Sequence, residues 1–413
     1  MTFDTYLVGG AVRDELLDLP VTERDWVVIG ATPEGLRKKG YRQIGNDFPC
    51  FLHPETKEEY ALARTERKSG SGHTGFICDF GPDITLEEDL FRRDLTINAI
   101  AKTAEGDYVD PYGGRNDLKA RILRHVSPAF IEDPLRVLRV ARFAARFSKL
   151  GFTVHPDTLD LMRELVKKGE LLSLTPERIW KELSRALTES KPSEFFRVLR
   201  ACSALKVILP EVDVLFGVPQ PAKHHPEIDT GEHVMLALDV AKRQFGLLIV
   251  TWSVLMHDLG KGVTPPTEWP RHIKHEIRGV PLVEAVCKRL KVPRAFCELS
   301  KLVAEHHLKC HRLVDMKPQS ILRLLEALDA FRRPERVEYF AQACEADARG
   351  RLGLEDREYK QSRLLVACSQ VAQKIDTKPL LEQGYTGLKL ADQIGRARTQ
   401  AIAHIMHSSS GVV

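Results

Sequence analysis

The sequence predicts an N-terminal α/β or α+β domain followed by an all-helical remainder. Three observations carry this. Residues 1 to about 125 mix strand and helix signals. From about 130 onward strand signals vanish and amphipathic helical stretches follow one another. The chain, at 413 residues, is also long for a single core, which points to two to four domains.

Taken in order, "TYLVGG" (5–10), "DWVVIG" (25–30), "EEYALAR" (58–64) and "YVDPYGG" (108–114) read as strands or strand ends. "AVRDELLD" (11–18) and "LEEDLFRRDLTINAIA" (86–101) read as helices. The next four stretches, "DPLRVLRVARFAARF" (133–147), "PDTLDLMRELVKK" (156–168), "PERIWKELSRALTE" (176–189) and "PSEFFRVLRACSAL" (192–205), are amphipathic at helical spacing with Pro at or near the start. Residues 209–231, "LPEVDVLFGVPQPAKHHPEIDTG", are Pro-rich and irregular and read as a linker. Helices resume from about 232. Within them "FGLLIVTWSVLM" (245–256) is too short to span a bilayer and reads as a buried helix.

The formal charge is +4, too mild to announce a nucleic-acid binder by itself. Residues 130–200 nevertheless hold 14 Lys/Arg against 10 Asp/Glu, an excess equal to that of the whole chain. That suits a polyanion partner or a solvated helix surface equally. Eight cysteines form no C-x-x-C pair and no disulfide framework. The N-terminus has neither a basic n-region nor an apolar h-region. A cytoplasmic protein with reduced thiols and no membrane partner is expected.

The chemistry begins at "LVGGAVRDELLDLPVTERDWVVIG" (7–30). Side chains alternate along a strand, so Glu23 and Asp25 are expected on one face. Two carboxylates there repel unless a cation lies between them, and Mg²⁺ prefers a few carboxylates, waters and substrate phosphate oxygens. The Gly9-Gly10 turn exposes backbone N–H groups that suit a phosphate, and Arg13 can add a charge-assisted contact. Together these compose a phosphoryl- or nucleotidyl-transfer site.

The residues resemble the nucleotidyltransferase superfamily and, more closely, the class II tRNA nucleotidyltransferases, the CCA-adding enzymes, in the long bacterial form with an HD phosphohydrolase domain. The likeness is carried by "LVGGAVRD" (7–14), "ERDWVV" (23–28), "RRDLTINA" (92–99), "DPYGG" (110–114) and "EDPLRVLRVARFAARF" (132–147), in the family's order. It implies an α/β, polymerase-beta-like head, an all-α neck and body, and an all-α HD domain. The implied boundaries are 1–125 (catalytic head), 126–208 (neck and body, nucleotide selection and tRNA binding), 209–231 (linker), 232–350 (HD domain) and 351–413 (helical tail). Where the family usually has Asp-x-Asp, this chain has Glu23-Arg24-Asp25. Glutamate is also a hard oxygen ligand, so Mg²⁺ binding survives in principle. A third carboxylate on a neighbouring strand is common in the superfamily, and Glu59 is the candidate.

In "IEDPLRVLRVARFAARF", Pro134 makes Asp133 a candidate N-cap. Arg136, Arg139, Arg142 and Arg146 fall within a sector of about 120° on one helix. They repel one another and sit better against an anion. The resemblance assigns Asp133 and Arg136 to the Watson–Crick edge of the incoming base, and Arg139, Arg142 and Arg93 to holding the nucleotide. Gly10 and Arg13 complete that set. Asp94 is expected to orient an arginine rather than touch substrate. The implied reaction adds C, C and A to a tRNA 3′ end from CTP and ATP, without a template, releasing pyrophosphate. The helical middle would grip the acceptor arm by shape and phosphate.

Nine of the fifteen histidines fall between 224 and 311. "VLMHDLGKG" sets His257 beside Asp258, His233 precedes them, and Asp347 follows in "EADARGR". Neutral imidazoles with a few carboxylates suit a transition metal. The order His233, His257-Asp258, Asp347 resembles the HD phosphohydrolases, with His275 and His306 as possible further ligands and Lys261 a candidate phosphate contact. The resemblance implies metal-dependent phosphatase and 2′,3′-cyclic phosphodiesterase (2′-nucleotidase) activity, with nickel or another transition metal, in a monomer or homodimer. Three rivals share parts of the pattern. A bacterial poly(A) polymerase-like enzyme has the same N-terminal blocks, but the HD constellation and the lack of a long basic tail weigh against it. An HD hydrolase could carry a non-catalytic RNA-binding head. A non-enzymatic tRNA-binding protein would make two metal constellations a coincidence.

Overall fold

The structure, a computed structural model, describes residues 3–44, 50–68 and 76–410. The chain divides into two compact units. One holds residues up to Glu182 together with Glu194–Ile208. The other holds Leu183–Ser193 and the chain from Leu209 on.

The first unit begins with a mixed sheet. Its strands are β1 (Asp4–Val8), β2 (Asp25–Ile29), β3 (Arg42–Ile44), β4 (Cys50–Leu52) and β5 (Glu59–Leu62), then, beyond the hairpin β6 (Arg64–Lys68) and β7 (Phe76–Phe80), β8 (Ala101–Lys102) and β9 (Tyr108–Val109). The order is β3-β4-β5-β2-β1-β8-β9. Only β2 and β5 run parallel, with Asp25 opposite Glu59 and Val27 opposite Ala61. Alternation gives the sheet two buried faces. Val8, Val27, Ala63, Leu90 and Ala101 cluster on one, and Val28, Leu36, Phe51, Tyr60 and Leu62 on the other. Asp25 is in phase with Val27 and so belongs to the first face, whereas Trp26 stacks on Tyr60 on the second.

Helices α1 (Gly10–Leu16), α2 (Pro33–Lys38), α3 (Leu86–Phe91) and α4 (Gly114–Ala120) accompany the sheet. α3 starts with a capping box, Thr85 and Glu88 satisfying each other's backbone N–H. The helix expected over 86–101 stops early. The Asp94 carboxylate accepts from Leu95 N–H at 2.8 Å and Asn98 Nδ2 at 2.9 Å, local bonds that compete with the helix and turn the chain toward β8.

The "DPYGG" block has a structural reason. Asp110 accepts the first backbone N–H groups of α4, from Gly114 at 2.7 Å and Arg115 at 2.9 Å. A Cβ on Gly114 would lie 2.2 Å from the carbonyl oxygen of Thr96. Gly114→Ala is therefore expected to destabilise the protein by about 1–3 kcal/mol, or more, since backbone must move. Chemical denaturation monitored by circular dichroism measures it.

The first unit continues through β10 (Ile122–Leu123), α5 (Leu135–Phe147), β11 (Thr153–Val154), α6 (Pro156–Lys167), α7 (Pro176–Ala186) as far as Glu182, α8 (Ser193–Ala201) from Glu194, and α9 (Ala204–Ile208). Beyond 130 strand is thus not entirely absent, since β11 pairs in parallel with β10. The second unit is helical: α10 (Pro210–Asp213), α11 (Thr230–Gln244), α12 (Leu248–Met256), α13 (His275–Arg289), α14 (Arg294–His311), α15 (Pro318–Ala327), α16 (Glu335–Arg349), α17 (Lys360–Gln373), α18 (Lys378–Glu382) and α19 (Gly387–Ser410). α12 is the helix expected in the apolar run, with Val250 to Met256 all buried. Among the described residues no helix is long and apolar enough to cross a membrane.

Two candidate catalytic centres

In the first unit, Gly9 adopts φ +69°, which L side chains rarely take. A Cβ there would also stand 2.8 Å from Arg93 Nη1 and displace that guanidinium, but it is the backbone angle that requires glycine. Gly10 opens α1. β2 begins at Asp25, leaving Glu23 in the unpaired stretch just before the strand rather than on it. The two acids nevertheless sense each other. Burial, then Glu59, then Glu23 raise the Asp25 carboxyl above its ordinary pKa, opposed only by Arg93. Three neighbouring acids make a place for a cation, and their hard oxygens fit Mg²⁺.

The arginines are already engaged. Arg13 is buried, bonded to Asp14 at 2.9 Å and Asn98 Oδ1 at 2.5 Å, with its guanidinium over the Phe143 and Phe147 rings. Arg93 donates to Asp89 at 3.1 Å. On α5 each arginine has an acceptor inside the unit. Arg136 donates to the carbonyls of Ala129 (2.7 Å) and Arg92 (2.5 Å). Arg139 pairs with Asp94 (2.7 Å), Arg142 with Glu182 (2.7 Å) and Arg146 with Asp14 (2.8 Å). The anion this face demands is thus supplied largely by the protein's own acids. Asp94 orients Arg139. Although burial opposes it, Arg139 and Asn98 hold the Asp94 carboxyl far below the usual range. Asp133 is not the N-cap, because α5 starts at Leu135 with Pro134 as its cap, but from one residue further out it accepts from Leu135 N–H at 3.0 Å and from Arg178 at 2.9 Å.

The second centre lies in the second unit. α12 ends at Met256 with His257 as its C-cap, and Asp258 follows as the chain leaves the helix. The turn after them is held against α13, because a Cβ on Gly260 would lie 1.9 Å from the carbonyl oxygen of His275. His233 of α11, His257 and Asp347 of α16 bring ligand atoms within 4.8 Å of one another, and Asp258, His275 and His307 form a second such group. Asp258 joins the two, with Oδ2 at 3.2 Å from His257 Nε2 and Oδ1 at 3.4 Å from His275 Nε2. His306 is not among these atoms. It is one residue out of phase on α14 and meets Lys309 instead, while His307 faces inward.

His257 donates from Nδ1 to the Val254 carbonyl at 2.7 Å, which leaves Nε2 facing the acids. That nitrogen and Asp258 Oδ1 are buried without a hydrogen-bond partner. Burial lowers the pKa of His257, but Asp258 and Asp347 overcome it and push it up to about 9. Burial holds neutral His307 down at about 3. Orphaned ligand atoms around two buried carboxylates fit a metal. Lys261 is committed to Asp258 and Gln220, both at 2.6 Å. Beside the cluster opens a 610 Å³ cavity whose lining includes Lys261, Arg271, His275, His311, Arg351 and Arg357. A pocket of that size with several cations suits a phosphorylated ligand.

Comparison with known proteins decides the family. Residues 5–124 match the model of the poly A polymerase head domain, 151–216 that of the probable RNA and SrmB-binding site of polymerase A, and 230–334 that of the HD domain. The chain is 58% identical to the multifunctional CCA protein of Alkalilimnicola ehrlichii over 96% of each chain. It belongs to the multifunctional CCA proteins. The relative from Pseudomonas aeruginosa is 57% identical, covering 96% of this chain and 97% of its own. The fold also matches solved CCA-adding enzymes. One, in an apo form, has a TM-score of 0.66 at 19% identity, covering 98% of this chain and 92% of the other. That of Thermotoga maritima complexed with tRNA has 0.60 at 20%, covering 98% and 91%. This multifunctional CCA protein therefore has the nucleotidyltransferase head, helical middle and HD phosphohydrolase domain that its sequence implies, and its HD domain carries a His/Asp metal-binding cluster.

Proposed function

We propose that this multifunctional CCA protein matures and repairs tRNA 3′ ends in the cytoplasm with two chemistries. The division of labour follows residues 1–125 as catalytic head, 126–208 as neck and body, 209–231 as the connecting segment, 232–350 as HD domain and 351–413 as tail. The observation that carries the head reading is Asp25 in register beside Glu59, with Glu23 close enough to raise it. Glu23, Asp25 and Glu59 hold Mg²⁺, which when bound lowers the pKa of the tRNA 3′-hydroxyl and offsets charge growing on the α-phosphate of CTP or ATP. The Gly9-Gly10 turn and Arg93 receive the departing pyrophosphate. Asp133 accepts from the base's exocyclic amino group while keeping Arg178, since a carboxylate offers four lone-pair sites. Arg136 donates to ring acceptors, and Arg139 and Arg142, fixed by Asp94 and Glu182, keep the nucleotide pocket's shape. Exposed basic residues of the helical middle hold the acceptor arm.

At the HD centre His233, His257, Asp258 and Asp347 hold nickel or another transition metal, with His275 and His307 completing a second half of the site. The bound metal supplies a nucleophile at neutral pH for phosphate release. Arg271, Arg351 and Arg357 hold the substrate's phosphates. Phosphatase and 2′,3′-cyclic phosphodiesterase activity on damaged ends follow from that arrangement. Incubation with tRNA ending in its discriminator base tests the head. CTP alone is expected to add two residues and stop, and ATP is then expected to add one. A long A tail from ATP alone would make the protein a poly(A) polymerase instead.

A further inference from the structure

We propose that Glu227 is a positioning residue of the HD centre: beside the Gly350 carbonyl, its buried carboxylate helps hold the proton on His233 Nδ1 and strengthens that imidazole as a metal ligand. The inference rests on the reading of the His/Asp cluster as a metal site and adds a residue outside it.

His233 is fully buried, and its two ring nitrogens face different partners. Nδ1 lies 3.1 Å from Glu227 Oε1 and 3.0 Å from the carbonyl oxygen of Gly350. A carbonyl only accepts, so Nδ1 carries the proton. Nε2 faces Asp347 Oδ1, 3.1 Å away, among the atoms of the cluster, and is the nitrogen that would turn its lone pair to a metal. His225, Glu227 and His233 also bring ligand atoms within 4.8 Å of one another. They do not make a separate metal site, because the His233 atom in reach is the protonated Nδ1.

Every recorded contact of the Glu227 carboxylate is with a donor. Oε1 accepts from His225 Nδ1 at 3.0 Å and stands 3.1 Å from His233 Nδ1, and Oε2 accepts from Leu352 N–H at 3.3 Å. Its side chain is only 4% exposed. An ionised carboxylate on one side of an imidazole raises the electron density of the nitrogen on the other, and so its strength as a ligand. The backbone is shaped for this role. Ile228 adopts φ +61°, a rare conformation for a β-branched residue, between Glu227 and Asp229. Asp229 in turn caps α11 by accepting from Glu232 N–H at 2.9 Å. The reversal at Ile228 lays Glu227 against the first turn of the helix that carries His233.

The test uses the full-length protein stripped of metal and titrated with Ni²⁺ and, separately, Co²⁺, comparing wild type with Glu227→Gln and Glu227→Asp. Glu227→Gln keeps the shape and loses the charge. It is expected to bind either ion about 10–100-fold more weakly and to shift the visible spectrum of bound Co²⁺. Glu227→Asp, which keeps the charge, is expected to fall between it and wild type. CTP incorporation by the head and the melting temperature of the metal-free protein are expected to be unchanged, which separates ligand tuning from loss of fold. Glu227→Gln binding Ni²⁺ as wild type does, with an unaltered Co²⁺ spectrum, would overturn the proposal while leaving the metal centre standing. Wild type that binds neither ion would overturn both.

Discussion

Asp25→Ala is expected to lower CTP incorporation into tRNA by about 10³-fold or more, the several kcal/mol that a Lewis acid supplies, and to leave phosphate release at the HD centre intact. The physical reason is local. Asp25 stands at the start of β2, opposite Glu59 on the parallel neighbour. Its side chain raises the repulsion among three acids rather than bridging the core, so its loss relieves the fold and empties the metal site of its central ligand. Rapid-quench incorporation from CTP, with phosphate release assayed on the same preparation, measures both. Incorporation that survives the substitution would remove the acids from the chemistry. Incorporation absent in wild type as well would leave the head as an RNA-binding module.

Asp258→Asn is expected to do the converse, and at a cost in stability. Asp258 is 1% exposed and touches His257, His275 and Lys261. A neutral amide removes the anion that joins the two halves of the cluster, so phosphate release should fall by about 10³-fold. It also strands Lys261, itself buried, without its ion pair. Breaking such a pair from one side costs roughly 3–5 kcal/mol. Metal titration, phosphate release and calorimetry together check the prediction, and CTP addition by the head should persist. Full metal affinity in the variant would exclude Asp258 as a ligand.

The strands that carry chemistry were legible because they are bounded by glycine and acid, and β1, β2 and β5 lie where the pattern puts them. β3 and β4 have three residues each, too short to show a period. The pairing of Asp25 with Glu59 could be guessed only through resemblance, since β3 and β4 intervene in the chain. Asp94 ended a helix that its neighbours favoured, a tertiary and side-chain effect invisible to periodicity. The α5 arginines were visible as one face, but not their partners. Asp14 and Glu182 lie 132 and 40 residues away from Arg146 and Arg142. His307 rather than His306 is the inward residue because the phase of α14 is set by what it packs on. Of two adjacent histidines the sequence cannot choose. Glu227 was missed because residues 209–231 read as a linker, although "HHPE" before the α11 cap was a signal that an acid sits close to clustered histidines.

The internal pairing of the α5 arginines bears on how a nucleic acid is held. A guanidinium already neutralised by a protein carboxylate displaces no cation from a phosphate backbone. Of the 14 basic residues between 130 and 200, Arg139, Arg142, Arg146 and Arg178 are among those matched in this way. The steepness with which ionic strength weakens association counts only phosphates newly neutralised. These arginines therefore serve geometry instead of long-range attraction.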